Sequence, residues 1–237
     1  MLDSTRIDLR RFKGIWTCAA LLVLLLGVSA ELIRYVLAPG RFVETLRIVS
    51  LDLEGTLPVW FSSATFLLIA GVALLLGMLT PTPDRVGRRA WFLIGAASAW
   101  ISLDETAAIH EHAGKMILIL VPSLQGAPRG PFYFTWTIIG LAVLVTGAIL
   151  LGPWFLSQPR SFIRRAGLGF AMMCAGAIGL EMLGGWALEV DTPLKYYAII
   201  TTVEETFEIV GAGILLFALL DRLPNRSGRV ELQIRED

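Results

Sequence analysis

Six apolar stretches, residues 14–37, 58–80, 90–112, 132–152, 166–188 and 196–220, constrain this chain more than any other feature. Each is close to the ~20 residues a helix needs to cross the hydrocarbon core of a bilayer. In lipid the backbone must satisfy its own polar groups, so stretches of this length are expected to be helical. Charged residues make up 17% of the 237 and hydrophobic ones 55%, against about 25% charged in a soluble domain. The expected fold is therefore all-α: a polytopic membrane bundle of six transmembrane helices over residues 14–220. A segment 1–13 precedes it and a tail 221–237 follows. The connections carry breakers, as in "TPTPDRVGRR", "QGAPRGP" and "DTP", and no stretch reads as a separate soluble domain or an internal repeat.

The basic residues orient the bundle. Arg6, Arg10, Arg11 and Lys13 precede span one, Arg85, Arg88 and Arg89 follow span two, and Arg160, Arg164 and Arg165 follow span four. Arg222, Arg226, Arg229 and Arg235 follow span six, so 14 of the 20 Lys and Arg lie on one side. The other side keeps Arg34, Arg41, Arg47, Lys115, Arg129 and Lys195. The positive-inside rule puts both termini in the cytoplasm, and a bacterial inner membrane is the expected location. A rival reading takes "RRFKGIWTCAALLVLLLGVSAE" as a cleaved signal peptide, which would leave five spans. Charge alternation favours six. Cys18 and Cys174 lie in apolar runs and are expected to be small buried hydrophobes rather than a disulfide.

Against this background, "SLDETAAIHEHAG" (102–114) and "VEETFEIVGAG" (203–213) stand out. At a rise of about 1.5 Å per residue, Asp104 and Glu105 lie roughly 21–23 Å along span three. Glu204, Glu205 and Glu208 lie roughly 12–18 Å below the outer surface on span six. The two clusters share a depth. Exposed to lipid without compensation, five acids would cost on the order of 10 kcal/mol, so they must face the bundle interior or a watery cavity. With no Lys or Arg expected to sit among them, protons, water, a metal ion or a cationic substrate must balance the charge. On a regular helix Asp104 aligns with Glu111 and Glu105 with His112, while His110 points away. Glu31 and Glu181 read more simply as hydrogen-bonding glue between helices.

Carboxylates with imidazole form a ligand set for Zn, Mn or Fe, which makes Glu54, Asp104, Glu105, His110, Glu111, His112, Glu204, Glu205 and Glu208 the candidate metal residues. If the chain is an enzyme, metal-assisted hydrolysis or oxidation of a lipid-like substrate is expected. The alternatives are a proton- or cation-coupled transporter or channel, and an accessory subunit bound to other membrane subunits. Membrane lipid is a partner in every case. Haem is not expected, because both histidines lie on one segment. Nor is a nucleotide or nucleic acid, because the basic clusters are short and juxtamembrane. Ser62 and Ser63 have a suitable depth for a nucleophile but no His at a fixed spacing. The Ser, Asp and three-His zinc pattern of ceramidase-type membrane hydrolases does not fit a chain with two His.

"GKMILILVPSLQG" (114–126) is too short to span and is expected to lie in the outer interface over the acids. Trp60, Trp91, Phe132, Tyr133, Phe134, Trp136, Tyr196 and Tyr197 read as interface anchors. The small-residue rows "AGLGFAMMCAGAIG" and "GAASA" read as close helix packing.

Three stretches together, "LDLEGTLPVWFSS", "SLDETAAIHEH" and "VEETFEIVGAG", resemble a family of uncharacterised bacterial six-span integral membrane proteins. That family carries an acid before span two, a "DE…HE" on span three and an "EE..E..G" on span six. The matching positions are Glu54, Asp104, Glu105, His110, Glu111, Glu204, Glu205 and Glu208. The resemblance implies site residues and no reaction. It favours His110 over His112, which requires the helix to unwind near Ala107.

Overall fold

The computed structural model describes residues 4–38, 41–127, 129–224 and 229–233. Helix α1 (Leu9–Leu32) continues as a π-helical segment, Ile33–Leu37, and a short α2 (Val43–Leu46) follows. Then come α3 (Leu57–Leu79), α4 (Arg85–Ala107), α5 (Ile109–Leu120) and α6 (Trp136–Leu156). Next, α7 (Arg160–Cys174) runs through a π-helical segment, Ala175–Leu180, into α8 (Glu181–Glu189), and α9 (Leu194–Leu220) closes the bundle. The all-helical expectation holds for the bundle. Outside it, strands β1 (Ser4–Asp8) and β2 (Arg229–Gln233) pair antiparallel and bring the two ends of the chain together. Arg226 and Arg235, counted among the basic residues above, lie outside the described residues.

Local chemistry explains where the helices begin. Asp8 caps α1 by accepting from the backbone N–H of Arg10 and Arg11, and Asp84 caps α4 through the N–H of Gly87. Thr56 caps α3, with Pro58 in the first turn, where a missing N–H costs nothing. The helical runs Leu9–Leu37, Leu57–Leu79, Trp136–Leu156 and Arg160–Glu189 are long and apolar enough to cross a membrane, and the bent pair α4–α5 makes a fifth. Helix α9, at 27 residues roughly 40 Å long, differs from them in the three acids near its middle. Leu21, Leu22 and Leu25 on α1 and Val143, Ile149 and Leu150 on α6 lie on open outer surface, as lipid-facing side chains do. Cys18 is exposed there too, against the expectation of burial, and Cys174 is half-buried; both are free thiols.

The six long runs alternate in direction. At one end Asp221, just past α9, pairs with Lys13 of α1 and Arg165 of α7. Trp91 of α4 meets Trp154 of α6 edge to face at 4.9 Å and Phe162 of α7 at 5.8 Å, between centroids. This basic end is dry, filled by Phe66, Ile69, Ala73, Leu76, Leu216 and Leu219. Helix α9 is the central post, packed on α1, α3, α7 and α8, whereas α4 leans on α3. The acids collect at the opposite end.

Span three departs from the expected 90–112. It stops at Ala107, and Ala108 takes a left-handed backbone conformation (φ 48°, ψ 43°) that turns α5 by 76° from α4. An alanine pays roughly 1–2 kcal/mol for that conformation. Ala108→Gly should therefore raise stability by about 1 kcal/mol, as a higher midpoint on thermal unfolding in detergent, with the bend retained.

Candidate functional site

The break at Ala108 decides which histidine enters the site. One carboxylate spans it: Asp104 Oδ1 accepts from the backbone N–H of His110 at 2.7 Å, and Oδ2 from the ring Nδ1 at 2.9 Å. Asp104 thus ends α4 and starts α5 at once, and swings His110 inward onto the Trp136 ring, 4.8 Å between centroids. The regular-helix alignment of Asp104 with Glu111 and of Glu105 with His112 is overturned by this turn. His112 is exposed, and its Nδ1 bonds the carbonyl of Ala108 at 2.7 Å. Glu111 pairs with Lys115 one turn along α5 and lies within electrostatic reach of Glu54. The unwinding implied by the family resemblance is what the chain does.

Glu105 of α4 feels the charge of Glu54 and His110. Glu205 of α9 feels Glu105, Glu54, Glu181 and Asp52, and Glu208 feels Glu205, Glu105 and Glu181. Glu105, Glu205 and Glu208 are hemmed in by protein yet each keeps accessible surface. Their partial exposure sets them apart from the fully buried side chains that fill the apolar end. Glu204 is buried, with its carboxyl beside that of Glu181. Glu181 in turn accepts from Trp136 Nε1 at 2.9 Å. It is the interhelical bond expected of Glu181, and it also joins Glu181 to the acid group.

The backbone makes room for this. The π-helical turn Ala175–Leu180 precedes Glu181 and re-aims it. Gly176 lies so close to α9 that a Cβ there would meet Glu208 Cγ at 2.8 Å and the Glu204 carbonyl at 2.9 Å. Glu54 is exposed, yet partial burial lifts its carboxyl above the usual carboxylate range, the more so for the charges of Glu111 and Asp104 and against the pull of His110. Asp52 is lifted for the same reason, burial, although it accepts a hydrogen bond from Tyr35 at 2.9 Å.

Glu31 leaves the uncompensated set. Arg34, 7% exposed, donates to both Glu31 oxygens at 3.1 Å, and Ser50 and the N–H of Leu51 complete the carboxylate's shell. A basic residue does neutralise one intramembrane acid, contrary to expectation, one turn away on the same helix. The Ser63 hydroxyl bonds Ser102 and Thr106 across α3 and α4, an interhelical contact rather than a Ser–His pair. Among the described residues no three of His, Cys, Asp and Glu are arranged to hold a metal ion.

Sequence reasoning missed Asp52, Tyr35 and the inward role of Trp136. "LDLE" before span two held the signal for Asp52; Trp136 is one of four aromatics in five residues and gave none. A family model described as a domain of unknown function (DUF8692) matches residues 14–223. Neither the curated proteins nor the solved structures contain a match.

Proposed function

We propose, for a chain that belongs to the DUF8692 family, that it is a six-span inner-membrane protein whose acid-lined cavity takes up a cation from the outer side. Both termini then lie in the cytoplasm. The paired terminal strands support an even number of crossings. The basic residues gathered at one end support the orientation. One observation carries the functional reading: Glu54, Glu105, Glu205 and Glu208 converge from a loop and two helices, and among the described residues the charges that act on them come from other acids and His110 rather than from Lys or Arg. Such a cavity holds protons when empty and exchanges them for a cation. The dry packing of Phe66, Ile69 and Leu216 beneath it favours one-sided binding over a continuous channel.

A divalent ion, Zn, Mn or Fe, is the second reading, and the Asp104–His110 bond favours it. A histidine ligand commonly gives its other ring nitrogen to a carboxylate that orients it, and His110 has Glu54 and Glu105 in electrostatic reach. The side chains would have to draw together to close a ligand shell. Metal-assisted chemistry on a lipid-like substrate depends on this second reading.

Calorimetric titration of purified protein with Mn²⁺, Zn²⁺ and tetramethylammonium, with elemental analysis alongside, tests both. Saturable uptake should strengthen as pH rises through the range just above the ordinary carboxylate value, because Glu54 then gives up its proton. Glu205→Gln with Glu208→Gln should weaken it at least tenfold. One metal per chain surviving purification would select the second reading. No uptake of any of the three at neutral pH would contradict the first.

A further inference from the structure

We propose that α5 is a lid seated in the outer leaflet, with Asp104 and His110 as the latch across its hinge at Ala108. The inference rests on the outward-facing cavity above and adds how access to it is controlled. The hinge is one residue: the α4 hydrogen-bond ladder stops at Ala107, and the left-handed Ala108 redirects the chain by 76°. The latch is one carboxylate holding both the backbone and the ring of His110.

The two halves of α5 meet different surroundings. The first is docked. His110 lies on Trp136, Gly114 is buried against the start of α6, and Thr135 Oγ1 donates to the Gly114 carbonyl at 2.7 Å. The docked imidazole thereby lies within electrostatic reach of Glu54 and Glu105. Beyond Gly114 the support ends. Met116, Ile119 and Leu120 are 53%, 64% and 73% exposed, and at i, i+3 and i+4 they form one apolar stripe.

A helix turned nearly across a spanning helix, with such a stripe, has the form of a segment lying in the headgroup–acyl boundary. The neighbouring chain marks the same level, since Phe132, 38% exposed just before α6, is an aromatic of the kind that sits at the membrane interface. The bilayer is therefore the surface that the stripe fits.

The test places a single NBD-labelled cysteine by Ile119→Cys, with Cys18→Ser and Cys174→Ala, in phosphatidylcholine vesicles. Lipid doxyl-labelled near the headgroup should quench it several-fold more than aqueous iodide. Stronger quenching by iodide, or by neither agent as in a protein-covered site, would overturn the lipid seat. For the latch, an impermeant carbodiimide with a glycine ester, read by mass spectrometry, should label Glu105 and Glu205 several-fold faster from outside in His110→Gln or Asp104→Asn than in the parent. Outside labelling indifferent to both substitutions overturns the lid alone. Labelling confined to inside-out vesicles overturns the outward cavity itself. The NBD measurement, made on latch-intact protein, stands even if a latch variant fails to fold.

Discussion

Gly211→Val is expected to prevent stable folding, the largest effect of any single substitution considered. Helices α7 and α9 approach backbone to backbone at this point. A Cβ on Gly211 would sit 2.7 Å from the Gly169 carbonyl oxygen and 2.9 Å from the Met173 nitrogen, and one on Gly169 would sit 2.7 Å from the Gly211 oxygen and the Leu215 nitrogen. Neither neighbour is the far end of a flexible side chain, so a helix must move. In a membrane, such small-residue contacts supply much of the association between helices. Gly211→Ala should cost about 1–3 kcal/mol, the usual range for overpacking, and Gly211→Val more. The displacement would be felt at the site, because α9 carries Glu204, Glu205 and Glu208 and α7 leads into Gly176. The control is Gly147→Val on α6, where a Cβ meets nothing within 4 Å and the change should stay within about 0.5 kcal/mol. Thermal unfolding in detergent, followed by tryptophan fluorescence, reads both.

Arg34→Ala should cost about 3–5 kcal/mol, the loss that follows when one partner of a buried ion pair is removed. Glu31 would be left 4% exposed with only the Ser50 hydroxyl and the Leu51 N–H for partners. Because those two groups tie the loop after α2 to the end of α1, the damage should centre on the outer end. Glu31→Leu with Arg34→Leu should be the milder change. A buried pair exchanged together for apolar side chains is often neutral, since the desolvation cost of both charges is removed as well. A double-mutant cycle measures the coupling. If the double variant is as unstable as the sum of the two singles, the pair is not a unit and Arg34 acts through other contacts.

Most of the fold was legible because bilayer energetics leave a chain few choices. Apolar length gave the six long helical runs, and segregation of charge separated their basic end from their acidic end. Helical rise alone points to the nearness of Glu105 on α4 to Glu205 and Glu208 on α9. What stayed hidden turns on single backbone angles. Nothing in "ETAAIHEH" marks Ala108, rather than its neighbours, as the left-handed residue, so a regular helical wheel chose His112 and Glu111. Only the family resemblance pointed to His110. Arg34 was in view as an outer-side charge, but its pairing with Glu31 at i, i+3 needed the burial of both to be known. Trp136 looked like any interfacial aromatic because the Glu181 it bonds is 45 residues away.

Thiol chemistry on Glu205→Cys, introduced alone after Cys18→Ser and Cys174→Ala, addresses the cavity most directly. In right-side-out vesicles a membrane-impermeant, positively charged methanethiosulfonate should modify this cysteine from the outside. A cation held by the remaining acids should slow the reaction. Modification only from the cytoplasmic side, or none from either side in folded protein, would mean that the acids of α4 and α9 do not line an outward-facing cavity.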